Sequence, residues 1–170
     1  MSSVAEGTGS AVSPSLAFRG VMSRFASGVT LVCARQGEVV HGLTVSSFCS
    51  VSLDPPLILV CLRRDGYCHD FILQAGSFAV NVLAATQEDA ARRFADVCLS
   101  PAQRFESLAY RAEATGAPVL ADAVAWLDCR VSSVYPGGDH SIVVGEVLAA
   151  GQNGPHPPLV VYGRQYIPIG

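Results

Sequence analysis

His41-Gly42-Leu43-Thr44-Val45-Ser46-Ser47-Phe48-Cys49-Ser50-Val51-Ser52-Leu53-Asp54-Pro55-Pro56 holds five hydroxyl side chains between apolar neighbours, and no charged one ahead of Asp54. Its first part continues a β-branched, aliphatic run, Val39–Val45, of strand character. The two prolines end it, because neither can donate to a ladder. Two readings of the hydroxyls stand side by side. In one they face water along a Ser/Thr-rich strand. In the other they form a hydrogen-bonding rail for a neutral, flat ligand with a polar edge and an apolar end, a description that a flavin ring fits.

Outward from this stretch, the chain reads as many strands with short local turns. Val29–Arg35 precedes it across the turn Arg35-Gln36-Gly37-Glu38, and Leu57–Leu62 follows it. Phe78–Leu83, two long runs at Ala123–Tyr135 and His140–Ala149 joined by Pro136-Gly137-Gly138-Asp139, and a final pair at Leu159–Tyr162 and Gln165–Ile167 complete the set. Helices are few. Ser13-Pro14 offers an N-cap followed by proline, and Phe18, Val21, Met22 and Phe25 then share one helical face up to Gly28. Tyr67–Gln74 is a second short helix, and Thr86, with Asp89 three residues on, is read as the cap of a third over Gln87–Ala95. Ser100–Ser107 reads as loop. The expectation is a mainly β protein, a closed antiparallel barrel with a few short helices, in one domain over 14–170 behind a disordered Gly/Ser-rich tail at 1–13.

Bulk composition narrows the function. The net charge is −3, which gives no basic stripe and argues against nucleic acid. All 11 basic residues are arginine, so Schiff-base chemistry and a phosphate-loop lysine are excluded. Charged residues make up only 15% of the chain against 50% hydrophobic, which leaves apolar surface for a second subunit to cover. The six cysteines include no C-x-x-C pair, and four of them sit in apolar strand-like runs, as reduced thiols of a cytoplasmic protein would. No apolar run approaches the roughly 20 residues of a membrane helix. Cys68-His69 lacks a second ligand cluster, so no metal site is expected. No G-x-G-x-x-G follows a strand, so a Rossmann nucleotide domain is not expected either.

Four pieces recur in a fixed order. They are F-R-x-x-M-S-R-F-x-S-G-V-T from Phe18, G-L-T-V-S-S-F-x-S-V-S-L-D-P-P-L from Gly42, F-A-V-N-V-L from Phe78, and G-D-H-S-I-V-V-G-E-V from Gly138. Together they resemble the flavin reductase-like family, above all the short reductase components of two-component flavin-dependent monooxygenases. The likeness spans roughly 16–167, nearly the whole globular part. It implies a split β-barrel (FMN-binding, Greek-key antiparallel) homodimer that reduces FMN or FAD with NADH or NADPH and passes reduced flavin to a monooxygenase by diffusion.

Carried over by position, the resemblance places Ser27, Gly28, Val29 and Thr30, then Thr44, Val45, Ser46 and Ser47, along the flavin, with Ser50, Val51 and Ser52 nearby. Phe78 to Asn81 would form part of the same wall. His140 is the expected contact for nicotinamide, with Phe18, Arg19 and Tyr166 on that side and Arg164 a further candidate. The family's S-x-T pair for the flavin phosphate is missing: Arg63-Arg64-Asp65-Gly66-Tyr67-Cys68-His69 puts Gly66 and Cys68 where hydroxyls are expected. Arg63 and Arg64, with Arg104 a third, are the candidate phosphate partners in their place. Two other functions share the same rail: an enzyme with tightly bound FMN acting on an organic substrate, and an electron carrier that binds FMN without nicotinamide turnover.

Overall fold

Ser13 opens the first helix as expected: its hydroxyl accepts from Leu16 N–H, and Pro14 occupies the first helical turn. The computed structural model describes residues 13–169. The disordered tail expected over 1–13 otherwise falls on residues 1–12, outside the described residues.

Helix α1 (Pro14–Met22) is followed by strands β1 (Ser27–Gly28), β2 (Thr30–Gln36), β3 (Val39–Val45), β4 (Phe48–Leu53) and β5 (Pro56–Arg63). Next come α2 (Tyr67–Ala75), β6 (Ser77–Val82), α3 (Glu88–Ala95), α4 (Pro101–Phe105), β7 (Tyr110–Ala112) and β8 (Pro118–Leu120). The chain ends with β9 (Ala125–Gly137), β10 (His140–Gln152), β11 (Leu159–Tyr162) and β12 (Gln165–Pro168). The main sheet has the order β3-β2-β6-β9-β10-β5-β4, antiparallel throughout. The β9–β10 hairpin sits between β6 and β5, so the β5-to-β6 connection, which carries α2, must pass over it in Greek-key fashion.

The barrel follows from one short connection. Strands β3 and β4 are the two opposite edges of this sheet, yet only Ser46 and Ser47 join them. The three steps from Val45 to Phe48 span at most about 11 Å, so the sheet must roll until these ends of its two edges come close. Beside that seam the β4–β5 ladder is carried one pair further: Cys61 N–H donates to Ser47 O at 3.1 Å, and the Ser47 hydroxyl donates to Cys61 O at 3.1 Å. Among the described residues no strand ladder joins β3 to β4, in keeping with the split barrel that the resemblance implies.

Burial alternates along β5: Ile58, Val60 and Leu62 point inward, while Leu59, Cys61 and Arg63 face out. The inner core joins these residues to Val32, Phe78 and Val143, and α2 seals it with Phe71 and Ile72. Strand β2 is buried on both faces, because Leu31 and Cys33 enter a second core with Phe94, Phe105 and Leu159 beneath α3 and α4. Gly42 permits that approach: a Cβ there would lie 2.8 Å from Phe94 Cε1.

Three expectations are corrected. The first helix stops at Met22 rather than running to Gly28, because Ser23 folds its hydroxyl onto Gly20 O at 2.8 Å, and Ser27-Gly28 is itself a strand. Thr86 does not cap α3: it lies inside a 3-10 turn, Ala85–Gln87, whose Gln87 side chain instead accepts Ala84 N–H at 2.8 Å. Ser100–Ser107 contains a helix, α4, set by a reciprocal cap between Ser100 and Gln103 with Pro101 in its first turn.

Candidate functional site

A cleft of about 410 Å³ opens on the outer surface of the barrel over the seam, within the range for small-ligand sites. Its floor is Ser46, Ser47, Phe48 and Cys49 with Leu59 and Cys61 of β5. One wall is the end of α1 and the following turn, Met22, Ser23 and Phe25; the other is Val161, Tyr162 and Arg164. Two distant pairings bring these walls together. Strand β1 pairs with β11, which sets Ser27 opposite Val161, and Gly163 N–H donates to Ser23 O at 2.8 Å. The lining is therefore hydroxyls and backbone along one edge and apolar side chains on the flanks. A flat, tricyclic, polar-edged ring fits that division.

The outward face of β5 continues past the cleft. Leu59, Cys61 and Arg63 share it at intervals of two residues, and His140 of β10 stands directly opposite Arg63. With a rise of about 3.4 Å per residue, Arg63 and His140 lie about 7 Å beyond Cys61 on the same face. His140 Nδ1 is 2.8 Å from Asp139 Oδ1, and this hydrogen bond and the imidazole's charge hold the Asp139 carboxyl below its usual range. Arg63 pairs with Asp65 through two bonds, at 3.0 and 2.5 Å, which pull that carboxyl down likewise. Arg64 N–H donates to Asp139 O at 3.0 Å, joining the two turns.

The expected site residues divide by their place in the fold. Ser27, Ser46 and Ser47 line the cleft. Gly28, Ser50, Val51 and Ser52 lie on β1 and β4, exposed or half-buried beside it. Phe18 and Arg19 stand exposed on α1, and Arg63 and His140 mark the far end of the β5 face.

The remainder face inward, each for a definite reason. Val29 and Val45 are core residues, and Phe78 packs at the centre of the inner core. The Thr30 hydroxyl donates to Val45 O at 2.7 Å, and that of Thr44 donates to Ala91 O at 2.6 Å. Asn81, with no exposed surface, donates to Leu31 O and Pro118 O and accepts from Leu120 N–H. Arg104 is buried, donating to Gly42 O and Asp96 O at 2.9 and 2.8 Å, so it pins α4 to β3 rather than reaching the cleft. Tyr166 packs half-buried against the second core with the Arg92 guanidinium 5.1 Å over its ring.

Met22, Phe25, Cys49, Cys61 and Tyr162 line the cleft and were not singled out from the sequence. Phe25 carried a signal, since it ends an apolar helical spacing yet stays 70% exposed. The thiols also differ by place: burial pushes Cys68 and Cys129 up to about 12, and Cys33 higher still, whereas Cys49 and Cys61 open toward the cleft.

The flavin reductase like domain matches residues 22–170 of this chain. An NADH-dependent FAD reductase of Streptomyces globisporus is 44% identical over 134 residues, covering 78% of this chain and 73% of that protein. The reductase subunit HsaB of a flavin-dependent monooxygenase from Mycobacterium tuberculosis is 35% identical over 130 residues, covering 76% and 68%. Among solved structures, BorF, the flavin reductase component of a bacterial two-component tryptophan halogenase, superposes with a TM-score of 0.85 at 41% identity, over 91% of this chain and 98% of that one.

Proposed function

This chain belongs to the flavin reductase-like family, and from that premise we propose that it transfers hydride from NADH or NADPH to FMN or FAD and releases the reduced flavin to a separate flavin-dependent oxygenase. The relatives named for NADH-dependent FAD reduction and for two-component systems support both halves of this reading. The observation that carries it in this molecule is the continuity of the β5 face. The outer face of β5 that floors a ring-sized cleft at Leu59 and Cys61 continues to Arg63, which stands opposite His140.

The flavin ring, when bound, supplies the hydride acceptor. The chain's own residues supply position. Ser27, Ser46 and Ser47 offer hydrogen bonds to a polar ring edge, and Met22, Phe25, Leu59 and Tyr162 exclude water from the apolar faces. His140 offers an N–H to the amide or phosphate oxygens of the nicotinamide nucleotide. Arg63 is half-committed to Asp65, and the S-x-T hydroxyls are absent, so the phosphate is held weakly and the flavin leaves readily.

The same face supports a homodimer. Among the described residues, α1 buries none of its side chains, while Leu16, Phe18, Val21 and Met22 are 47–70% exposed beside the cleft. A second copy covers them in this reading.

The direct test follows nicotinamide absorbance after mixing the protein with NADH or NADPH and FMN, FAD or riboflavin. Oxidation that saturates with added free flavin is the expected result. Flavin binding without oxidation above the uncatalysed rate would place the protein among electron carriers instead.

A further inference from the structure

His69, in the first turn of α2, links that helix to the start of β10. Its Nδ1 lies 2.7 Å from Asp70 Oδ1, and its Nε2 lies 2.9 Å from Ser141 Oγ. His69 and Ser141 are buried, at 8% and 6% exposure, while Asp70 faces solvent. The bond directions follow from the groups. An ionised carboxylate only accepts, so Nδ1 carries the proton; in the neutral ring Nε2 is then the acceptor, and the Ser141 hydroxyl donates to it.

The connectivity matches that of a serine nucleophile with its histidine and aspartate, but Ser141 cannot serve as one. It is sealed on the inner face of the sheet, opposite Leu62, beyond the reach of a substrate. What it can do is hold the strand. His140 and Ser141 are consecutive residues of β10 and project to opposite faces. A bond that fixes Ser141 from inside therefore fixes the residue whose imidazole lies outside, at the end of the cleft. The other restraints on this corner are the side-chain bond from His140 to Asp139, the pairing of His140 with Arg63 and Gly137, and the Arg64 N–H bond to Asp139 O, and none of them reaches it from inside the barrel.

We propose that Asp70, His69 and Ser141 form a positioning relay that sets His140 for the nicotinamide nucleotide. Asp70 selects the tautomer of His69, and His69 holds the first residues of β10. The inference rests on the reading of His140 as a nicotinamide contact.

The experiment measures the dissociation constant of NAD+ by calorimetry at saturating FAD, that of FAD alone by fluorescence, and the unfolding midpoint. Ser141→Ala is expected to weaken NAD+ binding about threefold to tenfold, the worth of one neutral hydrogen bond. FAD binding should stay within about twofold, given the same size of interaction elsewhere. Asp70→Ala, at an exposed position, should shift NAD+ in the same direction with the unfolding midpoint kept, and Ser141→Thr should restore binding lost in Ser141→Ala. Unchanged NAD+ binding in both Ala variants, with His140→Ala weakening it, would overturn the relay alone. Unchanged binding in His140→Ala would overturn the reading beneath it as well. Equal losses for NAD+ and FAD with a lowered midpoint would mark the relay as general scaffolding and overturn the proposal.

Discussion

Thr30, Asn81 and Arg104 look like ligand-binding residues, yet each serves a buried backbone group. Asn81 answers three of them at once, Leu31 O, Pro118 O and Leu120 N–H, where β6 meets β2 and β8. Asn81→Ala should therefore cost about 3 kcal/mol, since each buried group left unpaired costs about 1–3 kcal/mol. Urea unfolding measures this, and a cost below about 1 kcal/mol would show that these bonds are readily replaced. His41 is a second residue with a definite expectation. It is buried between Tyr67 and Phe71, its Nδ1 has no hydrogen-bond partner, and burial and then the Arg104 charge lower its pKa from 6.5. The unfolded state thus binds the proton more readily, so this site's contribution to stability is intact above pH 6.5 and is lost as pH falls below it toward the depressed folded value. His41→Phe should flatten that acid-side loss in denaturation curves taken across the window. A variant with the wild-type slope would assign the loss to other groups.

The strands were largely legible as elements, because β2, β3, β5, β6, β9 and β10 each carry β-branched runs bounded by turn residues. Helix α4 announced itself only through Ser100, Pro101 and Gln103, a cap signal hidden in a short polar segment. The site was legible in part. Ser46 and Ser47, singled out as part of a hydroxyl rail, line the cleft with Ser27, since the short hydroxyl-rich joint between β3 and β4 is local in sequence. Tyr162 was not placed in the cleft, because it arrives through the pairing of β1 with β11, more than a hundred residues apart, and no local pattern encodes that pairing. Whether a hydroxyl or an amide faces ligand or backbone is likewise decided by tertiary register. Helix α1 shows the same limit from the other side: its apolar spacing predicts a buried face, yet in the single chain that face is open. With a second copy over this face, as proposed, the natural chain should sediment as a dimer in analytical ultracentrifugation, and Phe18→Glu combined with Val21→Glu should yield a monomer without a lower unfolding midpoint for the monomer unit. A double variant that remains dimeric would move the interface away from α1.

Across the whole molecule, the roll of one seven-stranded sheet explains why the hydroxyl joint, the apolar end of α1 and the His140 corner share a surface. The inner core and α2 stabilise that roll from within, and the cleft lies outside it, shallow and open at its edge. Among the described residues no helix is long and apolar enough to cross a membrane. In the proposed reaction flavin is a substrate that comes and goes through this cleft. Anaerobic mixing of a trace of the protein with NADH and a large excess of FAD, followed in the flavin's visible band, tests it most directly. Progressive bleaching of all the FAD is the expected result, because each subunit must then release reduced flavin many times. Bleaching that stops at one flavin per subunit would contradict it.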